Sequence, residues 1–482
     1  MTHAYSRRQF LRDTALGVST AAVAGRTAAA QTEHPPNIVF ILTDDQGPWA
    51  LGHSGNAQAH TPNLDRLFAE GAYLRYAMVT TPVCSPSRAG LLTSRYGTEL
   101  GITDWIKPAR GEEQNESHLG LDPAYVTWVE LLQQAGYDTA LIGKWHLGTM
   151  DKYHPTEFGY DHFTGFREGG APVENLSLEV NGTERTFQGL TVDILTDAAI
   201  GYLYHAKHRK PFCLSLHYRS PHAPWKPVAP EDAAPYEEKE LEIPNPDYPD
   251  LDTDRVEQVM AEYLASVTGV DRNVGRLLDT LDELGLRENT IVIFTSDHGY
   301  NVGHHGVLHK GNAHWITNAA KNLTGPERVR PNLWDTSLRV PTAVRWPGVI
   351  EPGSTMDRVV TNLDWFPTLL AMAGVDLPPA LKIHGRDFLP LLRGESLEWS
   401  DEMYAEYSIH HYAEADLRAW RTDEWKLVRD FRNAGKDELY HLAADPEETT
   451  NLIEDPQYAG IFALLDEKLL AKRKSIQDST LD

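Results

Sequence analysis

The stretch Asn37-Ile38-Val39-Phe40-Ile41-Leu42-Thr43-Asp44-Asp45 decides the fold: an uninterrupted apolar run ends abruptly in two adjacent carboxylates. A continuous rather than alternating apolar run marks a strand covered on both faces, as in a parallel sheet. Three further runs share the pattern, at residues 139–143, 212–217 and 290–296. Between them lie stretches of helical period at 126–135, 192–205 and 255–284. This alternation predicts an α/β fold, a large mixed, mainly parallel sheet sandwiched by helices. Ligands of such sheets bind beyond the carboxyl ends of the strands. The unusual polar residues of this chain fall there, after Thr43, Gly143, His217 and Ser296.

Further along, the texture changes. From about residue 396, short β-like runs at 403–407, 417–421, 426–429 and 438–441 precede a helix-like stretch at 457–473. They predict a smaller C-terminal α+β subdomain containing a short antiparallel sheet. Two irregular stretches, the proline- and acid-rich 224–253 and the insert 311–333, read either as functional rims or as solvated loops. At the other end stand Ser6-Arg7-Arg8-Gln9-Phe10-Leu11, an apolar stretch over 14–25, and Ala28-Ala29-Ala30. Paired arginines, a short apolar region and small terminal residues make a twin-arginine export signal. The expected organisation is a signal at 1–30, a catalytic domain at 31–395 and the C-terminal subdomain at 396–482. Export places the chain in a bacterial periplasm or outside the cell, with the twin-arginine translocase as a partner. No segment is long enough to span a bilayer.

Composition narrows the classes. The 44 basic and 69 acidic side chains leave a net charge of −25, which argues against nucleic-acid binding. With 41% hydrophobic and 23% charged residues, the chain has ample material for a core. Its two cysteines, Cys84 and Cys213, form no disulfide framework. Cys213 lies in an apolar run and reads as a small core side chain.

Chemistry concentrates in three places. The adjacent carboxylates of Asp44 and Asp45 repel unless something positive sits between them. Asp297 and His298 follow another strand in the same way, and two such pairs at neighbouring strand ends predict a divalent metal site. The third place is Cys84-Ser85-Pro86-Ser87-Arg88-Ala89-Gly90-Leu91-Leu92-Thr93. Pro86 suits the first turn of a helix, which puts Cys84 at a helix N-terminus that favours an anion and activates a nucleophile. Arg88, one turn on, reaches the same anion with a planar fork. A buried structural cysteine is the alternative reading of Cys84 taken alone.

Cys-x-Pro-Ser-Arg followed by Leu-Leu-Thr resembles the signature of the sulfatase family, within the alkaline phosphatase superfamily. The resemblance runs through nearly the whole mature chain. It takes in 37–45, Gly-Lys-Trp-His-Leu-Gly at 143–148, Ser-Pro-His-Ala-Pro at 220–224 and Thr-Ser-Asp-His-Gly at 295–299. It continues through Leu-Arg-Val-Pro at 338–341 and Glu-Leu-Tyr-His-Leu-Ala-Ala-Asp-Pro-Glu at 438–447. The family oxidises this cysteine to formylglycine before folding is complete, so the resemblance implies a formylglycine-generating enzyme or equivalent maturase as a partner. It also implies that Asp44, Asp45, Asp297, His298 and modified Cys84 hold one Ca2+. Asparagine is common in the family where His298 stands, and a softer imidazole leaves other divalent ions open. Lys310 matches the family's sulfate-binding lysine, and Ser94 replaces a usual glycine.

By that resemblance the hydrated aldehyde at position 84 attacks sulfur, while the metal, Arg88, Lys144 and Lys310 neutralise the sulfuryl oxygens. His222 acts as the general acid for the leaving alcohol, helped by Lys310, and His146 as the base that expels sulfate. The expected function is hydrolysis of an O-sulfate ester on a sulfated carbohydrate. An arylsulfatase, a phosphonate or phosphate ester hydrolase, and a sulfated-glycan binding protein without turnover are the alternatives. His305, Asn312, His314, Trp315, Arg219 and Trp225 are candidates for the substrate rim, with Trp105 and Lys107 behind them. A basic pocket inside so acidic a chain draws its anion in at short range rather than by long-range steering.

Overall fold

The computed structural model describes residues 35–107, 116, 118–207, 209–237 and 239–478, so the expected export signal lies outside the described residues. β1 (Asn37–Thr43) is buried along its whole length. The strand's period of two divides its side chains: Ile38, Phe40 and Leu42 enter one core cluster, and Val39 and Ile41 the other. The first cluster is closed by helices Cys84–Thr93, Trp128–Gln134 and Trp365–Ala373. The second is closed by Pro62–Ala69, Thr191–Ala206 and the long helix Thr253–Glu283. This is the helix–sheet–helix sandwich expected of an apolar parallel strand.

The other strands of the main sheet are β2 (Ala72–Met78), β3 (Asp138–Lys144), β4 (His162–Phe166), β5 (Ser177–Val180), β6 (Thr183–Thr186), β7 (Phe212–His217) and β8 (Thr290–Ser296). A separate small sheet follows in sequence: β9 (Asn301–Val302), β10 (Val307–His309), β11 (Asn312–Trp315) and β12 (Val329–Pro331). β13 (Ala343–Arg345) and β14 (Ser354–Thr361) then return to the main sheet, whose order is β14-β2-β13-β8-β1-β7-β3-β4-β5-β6. The block β8-β1-β7-β3-β4 is parallel throughout, whereas β13, β5 and β6 run antiparallel to their neighbours.

Register sets the site. Thr43 pairs with Ser296, Leu42 with His217, and Gly143 also with His217, so four strands end at one level. Gly143 has φ 113°, and a Cβ there would stand 1.9 Å from the His217 carbonyl oxygen. Only glycine lets the backbone turn so closely before Lys144.

The C-terminal subdomain carries an antiparallel sheet of β15 (Met403–Ile409), β16 (Ala415–Arg421), β17 (Trp425–Asp430) and β18 (Glu438–His441). Helix Ala459–Ser475 packs on it through Leu465 and Leu469. The insert 311–333 differs from its irregular reading, since most of its first and last residues form β11 and β12. The stretch 224–253 is irregular apart from a helical turn over Pro230–Ala233 that continues as a 3-10 turn over Ala234–Tyr236, and Trp225, Tyr236, Leu241 and Leu251 seat it in a core cluster beneath the long helix.

Candidate active site

Helix Cys84–Thr93 is buried along its whole length and starts after Val83, an extended residue without a side-chain cap. It ends at Ser94 in the left-handed conformation, φ 55°, where glycine is the cheap residue. Serine here adds a bond that glycine lacks, since Ser94 Oγ accepts the Gly385 N–H at 2.7 Å. Ser87 donates its hydroxyl to the Asp297 carbonyl and Asn362 donates its amide to the Ser87 carbonyl, so the helix is tied to the end of β8.

The register brings the expected residues together. The Asp297 N–H donates to the Thr43 carbonyl at 3.0 Å, and the Asp45 N–H to Asp297 Oδ1 at 3.3 Å. Cys84 Sγ lies 3.5 Å from Asp44 Oδ1, 3.4 Å from His298 Nε2 and 3.3 Å from Lys310 Nζ. Each carboxylate has its own cation: Lys144 on Asp44 at 2.5 Å, Lys310 on Asp45 at 2.5 Å and Arg88 on Asp297 at 2.8 Å. All of these side chains are buried. Asp45, His146 and His309 have positive φ, which places strained backbone beside the site.

Electrostatics follow from that pairing. Burial alone pushes the Asp44 carboxyl up, but Lys144, His222, Arg88 and Lys310 together hold it well below the usual carboxylate range. Burial and the Asp44 charge push the Cys84 thiol up to about 12, against Lys144 and Lys310. The helix N-terminus therefore does not make an unmodified Cys84 a thiolate. Burial depresses His146, which carries Lys144 beside it, well below the ordinary imidazole value, and burial also lowers His222 and His298.

Tautomers can be assigned because a carbonyl only accepts. His298 Nδ1 donates to the Gly299 carbonyl at 3.0 Å, which leaves the Nε2 lone pair toward Cys84, and Nε2 lies 3.3 Å from Asp297 Oδ1. A backbone carbonyl orienting the far nitrogen is how proteins fix a metal-binding imidazole. Ligand atoms of Asp44, Cys84, Asp297 and His298 lie within 4.8 Å of one another, so this donor set fits a divalent cation. His222 Nδ1 donates to the Ala223 carbonyl at 2.6 Å, with Nε2 3.8 Å from Asp45 Oδ2. His146 Nε2 donates to the Ile106 carbonyl at 2.9 Å, and its buried Nδ1 has no partner among the described residues. Buried Arg88 Nη2 has none either. One acceptor and one cationic donor thus wait within the cluster.

The candidate rim divides. β11 sends His314 and Trp315 to opposite faces. His314 meets the His309 ring at 5.2 Å, whereas Trp315 packs with Val307, Trp334 and Tyr440. His305 stacks on Trp334 at 4.1 Å, and Trp225 is buried in the core under the long helix. Arg219 is buried near Asp44 and Asp45 and donates to the Ala171 and Pro224 carbonyls. Asn312 is buried with its amide oxygen unpartnered. Sequence reasoning passed over Asp104, Glu116, Tyr407, His410, His411 and Tyr412, which gather beside the site. The run His410-His411-Tyr412 after a strand was the available signal.

The fold and this site are those of the alkaline phosphatase superfamily. The sulfatase family profile matches residues 36–375, and the profile described as N-sulphoglucosamine sulphohydrolase, C-terminal, matches residues 330–475. The chain belongs to the sulfatase family and is a sulfuric ester hydrolase. An N-acetylglucosamine-6-O-sulfatase of Bacteroides thetaiotaomicron is 28% identical over 93% of this chain and 88% of its own. Steryl-sulfatase of Homo sapiens is 30% identical over 81% of this chain and 75% of its own. A structure solved in complex with its substrate D-glucosamine-2-N,6-O-disulfate superposes with a TM-score of 0.76 at 27% identity, covering 92% of this chain and 98% of that one.

Proposed function

We propose that this sulfatase hydrolyses an O-sulfate ester of a carbohydrate, with Cys84 matured to formylglycine and Ca2+ as the divalent ion. The observation that carries the reading is the convergence of Asp44, His298 and Lys310 on Cys84 Sγ at the ends of four strands. Asp44, Asp45, Asp297 and His298 would hold the ion, which supplies charge neutralisation at the sulfuryl oxygens. The hydrated aldehyde at position 84 supplies the attacking hydroxyl that a neutral thiol cannot.

The chain's own groups do the rest. Arg88 offers its free Nη2 to a sulfuryl oxygen, and Lys144 and Lys310 fix the anion from two sides. His222, tethered through Nδ1, holds Nε2 free to carry a proton to the leaving oxygen, and the bound anion favours its protonated form. His146 takes a proton at its unpartnered Nδ1 when sulfate leaves. The sugar assignment draws on the glucosamine-acting relatives; the steryl-sulfatase relative supports esters of an apolar alcohol as the second reading.

The same reading covers the termini. Residues 1–30 act as a twin-arginine signal that delivers a folded, matured chain through the translocase to the periplasm or beyond. Residues 31–395 form the catalytic domain, and 396–482 the C-terminal subdomain. No helix among the described residues is long and apolar enough to cross a membrane.

The test is sulfate release, read by ion chromatography, from sulfated saccharides and aryl and steryl sulfates, with phosphonate monoesters assayed alongside for release of the free phosphonate. The enzyme is co-expressed with a formylglycine-generating enzyme, and Cys84→Ala is the blank. Release from a sulfated saccharide supports the reading. Release from steryl or aryl sulfates alone, or cleavage of phosphonates alone, overturns the carbohydrate assignment.

A further inference from the structure

A second group of acids and imidazoles joins two parts of the chain beside the nucleophile. His411, in the turn between β15 and β16, places Nδ1 3.2 Å from Asp104 Oδ2 and Nε2 2.8 Å from Glu116 Oε1. The same Asp104 carboxylate accepts the Tyr407 hydroxyl at 3.0 Å and the N–H groups of Trp105 at 2.8 Å and His410 at 3.1 Å. Glu116 accepts the Lys107 N–H at 2.9 Å. Burial works against a charge on His411, but Asp104 and Glu116 outweigh it and hold the imidazole above its ordinary value. Two carboxylates from the catalytic domain thus face the His411 imidazole of the C-terminal subdomain, with His410 3.8 and 3.7 Å from the same two groups.

Rings are mounted on this bridge. Trp105 meets His411 edge-on at 4.7 Å and Tyr412 at 5.8 Å, and Tyr412 meets His314 edge-on at 5.7 Å. Both ends of the row attach at the sulfate site. The Ile106 N–H donates to Ser85 Oγ at 3.0 Å while its carbonyl holds His146, so Trp105 is one residue from groups next to the nucleophile. At the other end His314 touches His309, which precedes Lys310 in the chain. Yet the row is not buried: Tyr412 is 44% exposed, and Trp105 and His314 are half-buried. Packing alone gives no reason for this bridge to hold open rings beside the sulfate site.

We propose that Trp105, Tyr412 and His314 form the wall that binds the ring of the sulfated sugar, and that His411 is the residue that positions it. The proposal rests on the carbohydrate reading above and names the surface that reads the sugar. Aromatic faces take up the C–H face of a pyranose, while phenol and imidazole groups hydrogen-bond its hydroxyls. The wall is shared between the subdomains, so ring recognition requires the bridge to be closed.

The experiment compares the matured full-length enzyme with Tyr412→Ala, Tyr412→Phe and His411→Gln. Steady-state kinetics are measured on the sulfated saccharide cleaved in the panel above and on 4-nitrophenyl sulfate. Tyr412→Ala should raise KM for the saccharide about tenfold with kcat changed less than about threefold, the size expected for one aromatic contact. The ratio of saccharide to aryl-sulfate kcat/KM should fall by a similar factor. Tyr412→Phe should recover most of that loss, and His411→Gln should move the ratio in the same direction as Tyr412→Ala. Equal losses on both substrates, or none on either, would overturn the wall while leaving the sulfated-sugar reading intact. Wild-type enzyme that cleaves the aryl sulfate and no saccharide would overturn that reading, and the wall with it.

Discussion

Two clusters of acids and imidazoles lie side by side in this molecule and obey opposite rules. In the first, Asp44, Asp45 and Asp297 each face a separate cation, and every member sits on or just past a strand end, or on a helix locked against one. In the second, Asp104 and Glu116 share the imidazole of His411, with His410 beside it at 3.8 and 3.7 Å from the same two carboxylates, and all of them stand on loops of two subdomains. In the first the three carboxylates and their cations are all buried; the second reaches the surface through His410, 48% of whose side chain is exposed. Separate pairing keeps charges poised for an incoming ion or ester, because each group is preorganised in low dielectric. Shared pairing consumes the charges in holding two surfaces together.

Experiments can break the comparison at its strongest point first. Cys84→Ser should lower multiple-turnover sulfate release at least about thousand-fold, since a serine lacks the second hydroxyl of the hydrate. Intact-mass analysis should then find serine enzyme carrying one sulfate, and unsulfated enzyme with wild-type turnover would remove Cys84 from the chemistry. Asp297→Asn should cost at least about a hundred-fold in activity. It should also lower stability by about 3–5 kcal/mol, because it strands the buried Arg88 charge. Denaturant melts of the two variants separate chemistry from folding, as Cys84→Ser leaves all three ion pairs in place.

The next effect is narrower. His222→Gln should lower kcat on alkyl or sugar sulfates about a hundred-fold but on 4-nitrophenyl sulfate less than about tenfold, because a good leaving group needs little help from an acid. Equal losses on both would move the general acid elsewhere. The second cluster should respond to pH where the first does not. His411 is raised, so its contribution is complete below about pH 6.5 and is lost as pH rises through its folded value. Asp104 and Glu116 are lowered, so theirs is present above about pH 4–4.5 and is lost in acid. Amide protection factors at 410–412, with intrinsic exchange divided out at each pH, should therefore be largest between those limits and fall toward alkaline pH, while those at the ends of β1 and β8 stay constant. Smallest of all, Trp315→Leu should change kcat/KM by less than about twofold, since its side chain packs away from His314 and the site. A large loss on saccharides would return Trp315 to the rim.

Much of the fold was legible because burial on both faces writes itself into sequence. The strands at 37–43, 212–217 and 290–296 and the helices at 192–205 and 255–284 appear within two residues of their expected limits. β2 was missed because Arg75 and Tyr76 interrupt its apolar run where the strand reaches solvent. β11 and β12 were missed because strands of three or four residues carry too few positions to show a period.

The site divides in the same way. Asp44-Asp45, Asp297-His298 and the 84–93 helix were readable because each directly follows or caps a buried element, and strand ends converge by topology. The rim was not. Trp225, His305 and Trp315 look like surface aromatics in a polar loop, yet the long helix and the C-terminal subdomain cover them. Asp104, Glu116 and His411 look unremarkable in sequence because their partners lie about 300 residues away.

By itself the sequence determined the sheet, the place of Cys84 at a helix start and the acid pairs that face it, because hydrophobic burial and chain connectivity are local facts. Tertiary structure alone decided which cation neutralises which carboxylate, that an unmodified Cys84 thiol is pushed up rather than activated, and that Asp104 and Glu116 meet His411. Those properties depend on distances between side chains far apart in the chain, and electrostatic and packing energies change sharply over a few ångströms.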